Sequence, residues 1–155
     1  MKVLNVAPSA PYNEGWGYQE NLLTKYQKKL GHDVTLIVSN VTFKKGKHTI
    51  TNCEDFINGD GVRVIRLPRK QYAISALTKL KVKMDVFDKI KEIYPDFIFY
   101  HGLGSDTILD VVRYKKEINP NCVIVCDNHA DYNIGFNKKG LRSFLVMQYL
   151  FPSKT

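Results

Sequence analysis

The chain has 155 residues, 44% of them hydrophobic and 25% charged, the proportions of one ordinary globular domain with enough apolar material for a core. No apolar run approaches the ~20 residues of a membrane-crossing helix, and residues 1–12 are too strand-like, and too short in their apolar part, for a signal peptide, so a cytoplasmic location is the expectation. The net charge of +8 favours anionic partners, but the lysines are scattered and no RNA-binding signature with interleaved aromatics accompanies them, so no nucleic-acid partner is expected.

In chain order, "KVLNVA" (2–7) reads as a buried strand. "YQENLLTKYQKKLG" (18–31) reads as a helix with Leu22, Leu23, Tyr26 and Leu30 on one apolar face and Gly31 as its stop. "DVTLIVS" (33–39) is a second buried strand, so the first forty residues predict a right-handed βαβ unit with parallel strands. Residues 40–61 are polar and turn-rich and predict a loop, with a short strand at "HTI" as its only regular piece. "VRVIRLP" (62–68) is a strand closed by Pro68. "SALTKLKVKMDVFDKIKEIY" (75–94) predicts a helix with Leu77, Leu80, Met84, Phe87 and Ile90 as its apolar stripe, ended by Pro95. "DFIFYHG" (96–102) is a strand, and Ser105 or Asp106 is expected to cap the helix that follows, up to residue 118. "CVIVCD" (122–127) is a further strand, with Cys122 and Cys126 expected as buried thiols on one face. A final amphipathic helix is predicted over 139–151. Strands with unbroken apolar runs alternating with helices predict a single α/β domain over 1–155, an open parallel sheet with helices on both faces.

Such sheets bind ligands beyond the carboxyl ends of their strands, and the unusual residues follow three of the predicted strands. The first strand runs into a loop with Gly15, Trp16 and Gly17, then Glu20 in the helix. Glycine lets a phosphate or sugar approach the backbone, and a helix N-terminus favours an anion. The spacing is neither the nicotinamide fingerprint, whose third glycine is replaced by Glu20, nor a Walker loop. Simple turn chemistry is the competing role for these glycines. The 96–102 strand ends in His101, which either holds a loop carbonyl or faces a ligand. The 122–127 strand runs into Asp127, Asn128, His129 and Asp131. Asp127 is either a turn cap or a site residue. His129, between two aspartates, is oriented for a ligand, because a nearby carboxylate raises and steers an imidazole. No serine, threonine or cysteine nucleophile stands beside it. Three cysteines without a Cys-x-x-Cys pair, and histidines without ligand spacing, point to no metal site and no disulfide framework.

These residues carry a resemblance. "MKVLNVAPS" opening into a glycine loop, "KKLGHDVTL", "YPDFIFYHG" and "VIVCDNHADY" together resemble the N-terminal half of a GT-B glycosyltransferase, and are most similar to the retaining glycosyl transferases group 1, or family 4. The resemblance covers nearly the whole chain. It implies one Rossmann-like domain on the acceptor side of a cleft, with a second domain, beyond Thr155, binding the nucleotide-sugar donor. It implies that Gly15 and Gly17 approach the donor diphosphate and sugar, and that His129 contacts the transferred sugar near the reacting carbon. Asp127 and Asn128 shape that pocket. His101 and Asp131 adjoin it, and Trp16 stacks on a sugar or packs. Glu20 positions the helix first and contacts acceptor second. No cofactor is implied. The acceptor is a saccharide or a lipid-linked one, as in bacterial surface polysaccharide synthesis, with an anionic membrane surface as a further partner through 75–94 and "NKKGLRSF". The chain alone is expected to be inactive. A free-standing flavodoxin-like nucleotide- or cofactor-binding module is the alternative.

Overall fold

The computed structural model describes residues 1–70 and 82–127. The predicted helix over 139–151, Leu77 and Leu80 of the predicted 75–94 helix, and the basic stretches proposed for a membrane surface, apart from the end of the first, lie outside them.

The described residues form β1 (Lys2–Ala7), α1 (Gln19–Lys29), β2 (Asp33–Ser39), β3 (Val41–Lys44), β4 (Lys47–Ile50), β5 (Asp55–Ile57), β6 (Arg63–Leu67), α2 (Phe87–Ile93), β7 (Phe97–His101), α3 (Ile108–Glu117) and β8 (Val123–Asp127). Six strands make one mostly parallel sheet in the order β5-β6-β2-β1-β7-β8, and β3 and β4 form a separate hairpin. Only β5, paired with β6, runs antiparallel in the main sheet. Chain order reverses between β1 and β7: β2 and β6 lie on one side of β1, β7 and β8 on the other.

Strand alternation sends successive side chains to opposite faces. On one face Leu4, Val6, Ile98 and Tyr100 pack against Ile90 of α2 and Val111 and Tyr114 of α3. On the other, Val3, Val34, Leu36, Val38 and Val64 pack with Tyr12 and Phe56. α1 lies over this second face, where Asn5 Nδ2 donates to Gln27 Oε1 at 2.7 Å. Helices therefore cover both faces, as the alternation of elements predicts.

Four local expectations are corrected. The 40–61 stretch is not one loop. It holds the whole β3–β4 hairpin, which turns at Lys45 and Gly46, both at positive φ, as a two-residue primed turn requires. It also holds β5. Within the described part of the predicted 75–94 helix, residues 82–86 are not helical and the helix starts at Phe87. Upstream of it, Val82 bridges Ser105 in parallel, and the Met84 and Val86 N–H groups donate to Thr107 Oγ1 and Asp110 Oδ2 at 2.9 and 3.0 Å, so their hydrogen bonds go to α3 rather than to a helical turn. Neither Ser105 nor Asp106 is the capping position of α3; it falls at Thr107, whose hydroxyl is taken by Met84, while Ser105 Oγ donates to Val82 O at 2.6 Å. Cys122 is buried but Cys126 is exposed, because β8 is an edge strand.

The apolar stripe of α1 is a fifth case. The helix forms where its periodicity predicts, yet its buried residue is Thr24, while Leu22, Tyr26 and Leu30 are exposed. Polar residues fit under α1 because Gln27 accepts from Asn5, and Thr24 Oγ1 donates to Glu20 O at 2.8 Å.

Burial raises the phenol pKa of Tyr12, Tyr100 and Tyr114 above the ordinary 10.0, and that of the Cys122 thiol above 9.0. The fold thus holds protons that the unfolded chain releases. Their contribution is complete below the unfolded-state values and is lost as pH rises through the folded ones. Stability should therefore fall steadily once pH passes 9 and then 10. Urea midpoints from pH 8 to 11 check this; a flat profile would contradict it.

Candidate functional site at the carboxyl ends of the strands

Asp127 closes β8, and its carboxylate ties together three separate parts of the chain. Oδ1 accepts from the Gly102 N–H at 2.8 Å. Oδ2 accepts from Gln19 Nε2 at 3.1 Å and lies 3.2 Å from His101 Nδ1. An ionised carboxylate only accepts, so the Nδ1 proton sits between His101 and Asp127, which fixes the ring's tautomer and direction. Register puts this pair side by side, since His101 and Asp127 are partners in the β7–β8 ladder. The His101 ring is buried and also rests on Phe99, with centroids 4.7 Å apart. Gly102 turns at φ +77, a conformation that costs side-chain-bearing residues about 1 kcal/mol or more, and this turn aims its N–H back at Asp127.

Gln19 is the first residue of α1, so Asp127 also fixes where the β1–α1 loop ends. The positive end of the helix dipole favours a carboxylate there. The loop itself is pinned along its length. Tyr12 is buried, its N–H donates to Val41 O at 3.1 Å, and its ring packs under the Arg66 guanidinium at 5.1 Å. Asn13 Oδ1 accepts from Thr42 Oγ1 and the Phe43 N–H at 2.6 and 2.8 Å, and its amide donates to Phe43 O at 2.9 Å. Glu14 Oε1 accepts from the Gly59 N–H at 2.6 Å. A long loop held by this many bonds is an ordered surface rather than a slack connection.

Gly15 turns at φ +77, a real turn requirement, whereas Gly17 has no positive φ and open space around it. Trp16 packs: its ring lies 5.3 Å from Tyr18 and 5.9 Å from Phe43, and Phe43 continues to His48 at 5.4 Å. The result is a row of rings leading from the start of α1 onto the β3–β4 hairpin. Trp16 is the sole tryptophan, so its emission reports on this row. Phe43→Ala should shift that emission to longer wavelength as the indole loses one of its two neighbours; an unchanged spectrum would mean the row does not form in solution.

Of the residues singled out from sequence, Gly15, Trp16, Gly17 and Glu20 lie in the β1–α1 connection or first turn, and His101 and Asp127 meet at the β7 and β8 ends. Asn128, His129 and Asp131 lie outside the described residues. Sequence reasoning missed Gln19, although its place at the head of α1 beside the glycine loop was a usable signal. It also missed Arg69. Beyond the end of β6, Arg69 donates to Ser9 O at 2.7 Å, joining the rim after β1. Burial lowers its pKa from the ordinary 12.5, and among the described ion pairs no carboxylate reaches it. Among the described residues no three His, Cys, Asp or Glu side chains come together as a metal centre requires. No described helix is long and apolar enough to cross a membrane.

A scan of protein-family models finds no match to this chain, and a search of curated proteins finds no significant relative.

Proposed function

We propose that this chain is the acceptor-side, Rossmann-like half of a retaining GT-B glycosyltransferase. The observation that carries the reading is Asp127, which gathers Gln19 after β1, His101 of β7 and Gly102 at one rim beyond the carboxyl ends of the strands. The rim includes the ends of β1 and β7, where the strand order reverses, the position at which open α/β sheets bind ligands. Strand order also favours this reading over a flavodoxin-like module. Numbered among themselves, the parallel strands β6-β2-β1-β7-β8 run 3-2-1-4-5, the Rossmann order, where flavodoxin runs 2-1-3-4-5.

In this reading a second domain supplies the nucleotide-sugar site and the charge that stabilises the leaving diphosphate. The residues described here hold the acceptor. Its hydroxyl must sit in line with the reacting carbon on the face the diphosphate leaves, and positioning of that kind is worth several kcal/mol. His129, just past Asp127, contacts the transferred sugar, with Asn128 and Asp131 shaping the pocket. His101, steered by Asp127, offers a directed ring beside it. Arg69 is the cation for an anionic acceptor, such as a lipid-linked phosphate presented at the inner membrane face. Its fork geometry suits a phosphate bidentately.

The test is turnover of the chain joined to its second domain, with UDP-glucose and GDP-mannose as donor probes. His129→Ala should lower donor turnover by about 100-fold; a variant as fast as the parent removes His129 from the mechanism. Arg69→Met should raise the KM for a phosphate-bearing acceptor by roughly tenfold with kcat little changed, the loss of one charged hydrogen-bonding partner. An equal loss with a neutral acceptor would show that Arg69 acts on the loop and not on the phosphate.

A further inference from the structure

The β3–β4 hairpin has two outer edges, and the fold treats them differently. Its two-residue turn makes Lys44 and Lys47 a hydrogen-bonded pair. Bonded and non-bonded pairs alternate along an antiparallel ladder, so Thr42 and Thr49 are the next bonded pair. The far end agrees, since the Thr51 N–H donates to Asn40 O at 2.8 Å. Between these pairs, the N–H and C=O groups of Val41 and Phe43 point away from β4. The β1–α1 loop takes them up. The Tyr12 N–H donates to Val41 O at 3.1 Å, and the Asn13 side chain accepts from the Phe43 N–H at 2.8 Å and donates to Phe43 O at 2.9 Å. Asn13 thus bonds to β3 as the backbone of a neighbouring strand would. On β4 the same alternation turns the N–H and C=O groups of His48 and Ile50 outward, and no described residue bonds to them. Every residue of β4 is exposed, Ile50 at 68%. An open edge of this kind is a template for a further strand.

The side chains beside that edge are sorted by chemistry. Phe43 and His48, with ring centroids 5.4 Å apart, share one face of the hairpin with Ile50. Lys44 and Lys47 share the other face, and Lys45 sits in the turn. Residues 40–51 contain no Asp or Glu. None of the three lysines enters a described ion pair. One face of an added strand would therefore meet rings and an aliphatic side chain, and the other would meet uncompensated positive charge.

We propose that β4 accepts an acidic, extended segment of another protein as an antiparallel third strand of the hairpin. The segment's backbone bonds to the outward N–H and C=O groups of His48 and Ile50. Its alternate residues are apolar and lie over Ile50 and the Phe43–His48 rings. The residues between them are Asp or Glu and face Lys44 and Lys47. In strand addition the main-chain bonds supply affinity and the alternate side chains supply specificity. A third strand also gives the hairpin what a two-stranded ribbon lacks for stability of its own. Charge selects this occupant over a second copy of the chain, which would bring the same three lysines and a net charge of +8 to the edge. Lysine at an edge guards against pairing with like strands, and an acidic strand turns that guard into a contact. The placement depends on the hairpin and the β1–α1 loop alone, so it stands or falls separately from the transferase reading.

Binding of a capped synthetic peptide alternating valine and glutamate to the intact chain tests it, read by amide hydrogen exchange with sedimentation on the same samples. At saturating peptide the His48 and Ile50 amides should exchange at least about tenfold more slowly, while the Phe43 amide, already bonded to Asn13, should change little. Directly opposed residues of a bonded antiparallel pair exchange both hydrogen bonds, so the peptide's valines face His48 and Ile50. N-methylation of the valines should therefore abolish binding, and N-methylation of the glutamates should leave it. Ile50→Pro removes an outward N–H and no β3–β4 bond, and should weaken binding by roughly tenfold. The double variant Lys44→Glu, Lys47→Glu should weaken it by at least about tenfold through charge. Should Ile50→Pro disturb the hairpin, the methylated peptides decide. Unprotected His48 and Ile50 amides at saturation overturn the proposal. Equal binding of a peptide with the same composition and its glutamates in one block also overturns it, since charge alone would then suffice. Protection without peptide that fades on dilution overturns it as well, and assigns the edge to a second copy.

Discussion

Asp127→Ala should be the most damaging single change at the rim, costing about 2–3 kcal/mol of stability and, under the proposed transferase function, about 100-fold in turnover. Each hydrogen bond to a charged group contributes about 1.5–3 kcal/mol net, and Asp127 accepts from the Gly102 N–H, Gln19 and His101. The full sum is not lost, because the side chain is 17% exposed and water replaces part of what is removed. The effect on rate has a different origin. Removing Asp127 removes its contact with His101 Nδ1 and its tie to Gln19 of α1, and a displacement of about 1 Å at a reacting group is worth about 100-fold. Asp127→Asn separates the two. It keeps the volume and one accepting oxygen for Gly102, but turns an N–H₂ toward the donors on His101 and Gln19. It should therefore keep half or more of the stability and lose nearly all of the rate. Urea midpoints and single-turnover rates measure each. A double-mutant cycle with His101→Ala should show non-additivity of at least about 0.5 kcal/mol, as residues in one hydrogen-bond network do. Additive losses would mean the two side chains act independently.

The parallel strands of the sheet were legible because burial leaves a plain signature, short and largely apolar runs such as "VLNVA" and "TLIVS". What failed were inferences from one residue's neighbourhood to its orientation. Leu22, Leu23, Tyr26 and Leu30 correctly announce a helix, but periodicity cannot say which surface a stripe meets. Here Thr24 is the buried residue, and it is the polar Gln27 that meets Asn5 of β1. The stretch from Val82 to Val86 reads as helix by spacing, yet Thr107 and Asp110 claim its N–H groups from a distance in sequence that no local pattern reveals. β5 was hidden for the same reason: its partner is β6 and its signal is only three residues long. At the rim, His101 and Asp127 were visible as odd residues at strand ends. Their pairing is a consequence of register, which sequence does not print, and Gln19 enters the site only because α1 starts beside β8.

The core beneath the rim gives the second large effect. Tyr100 is fully buried between the sheet and α2 and α3, one residue before His101, and its hydroxyl donates to Ser105 O at 3.2 Å. Ser105 in turn holds Val82 O through its own hydroxyl, so this phenol links the ring-filled core to the β7–α3 loop. Two contributions are separable by substitution. Tyr100→Phe removes the hydrogen bond and leaves the volume, which should cost about 1 kcal/mol. Tyr100→Ala removes the ring and leaves a cavity that the flanking strands cannot close, which should cost about 3–5 kcal/mol. Set against a total of about 5–15 kcal/mol for a domain, the first lowers the melting temperature by about 2–4 °C and the second by about 6–20 °C. Burial also raises the Tyr100 pKa, so the Phe variant should show a shallower loss of stability above pH 10 than the parent. Packing volume therefore outweighs the polar contact by about threefold or more at this position. A Phe variant as unstable as the Ala variant would reverse that order, and would make the Ser105 contact, rather than the filled core, what supports the rim.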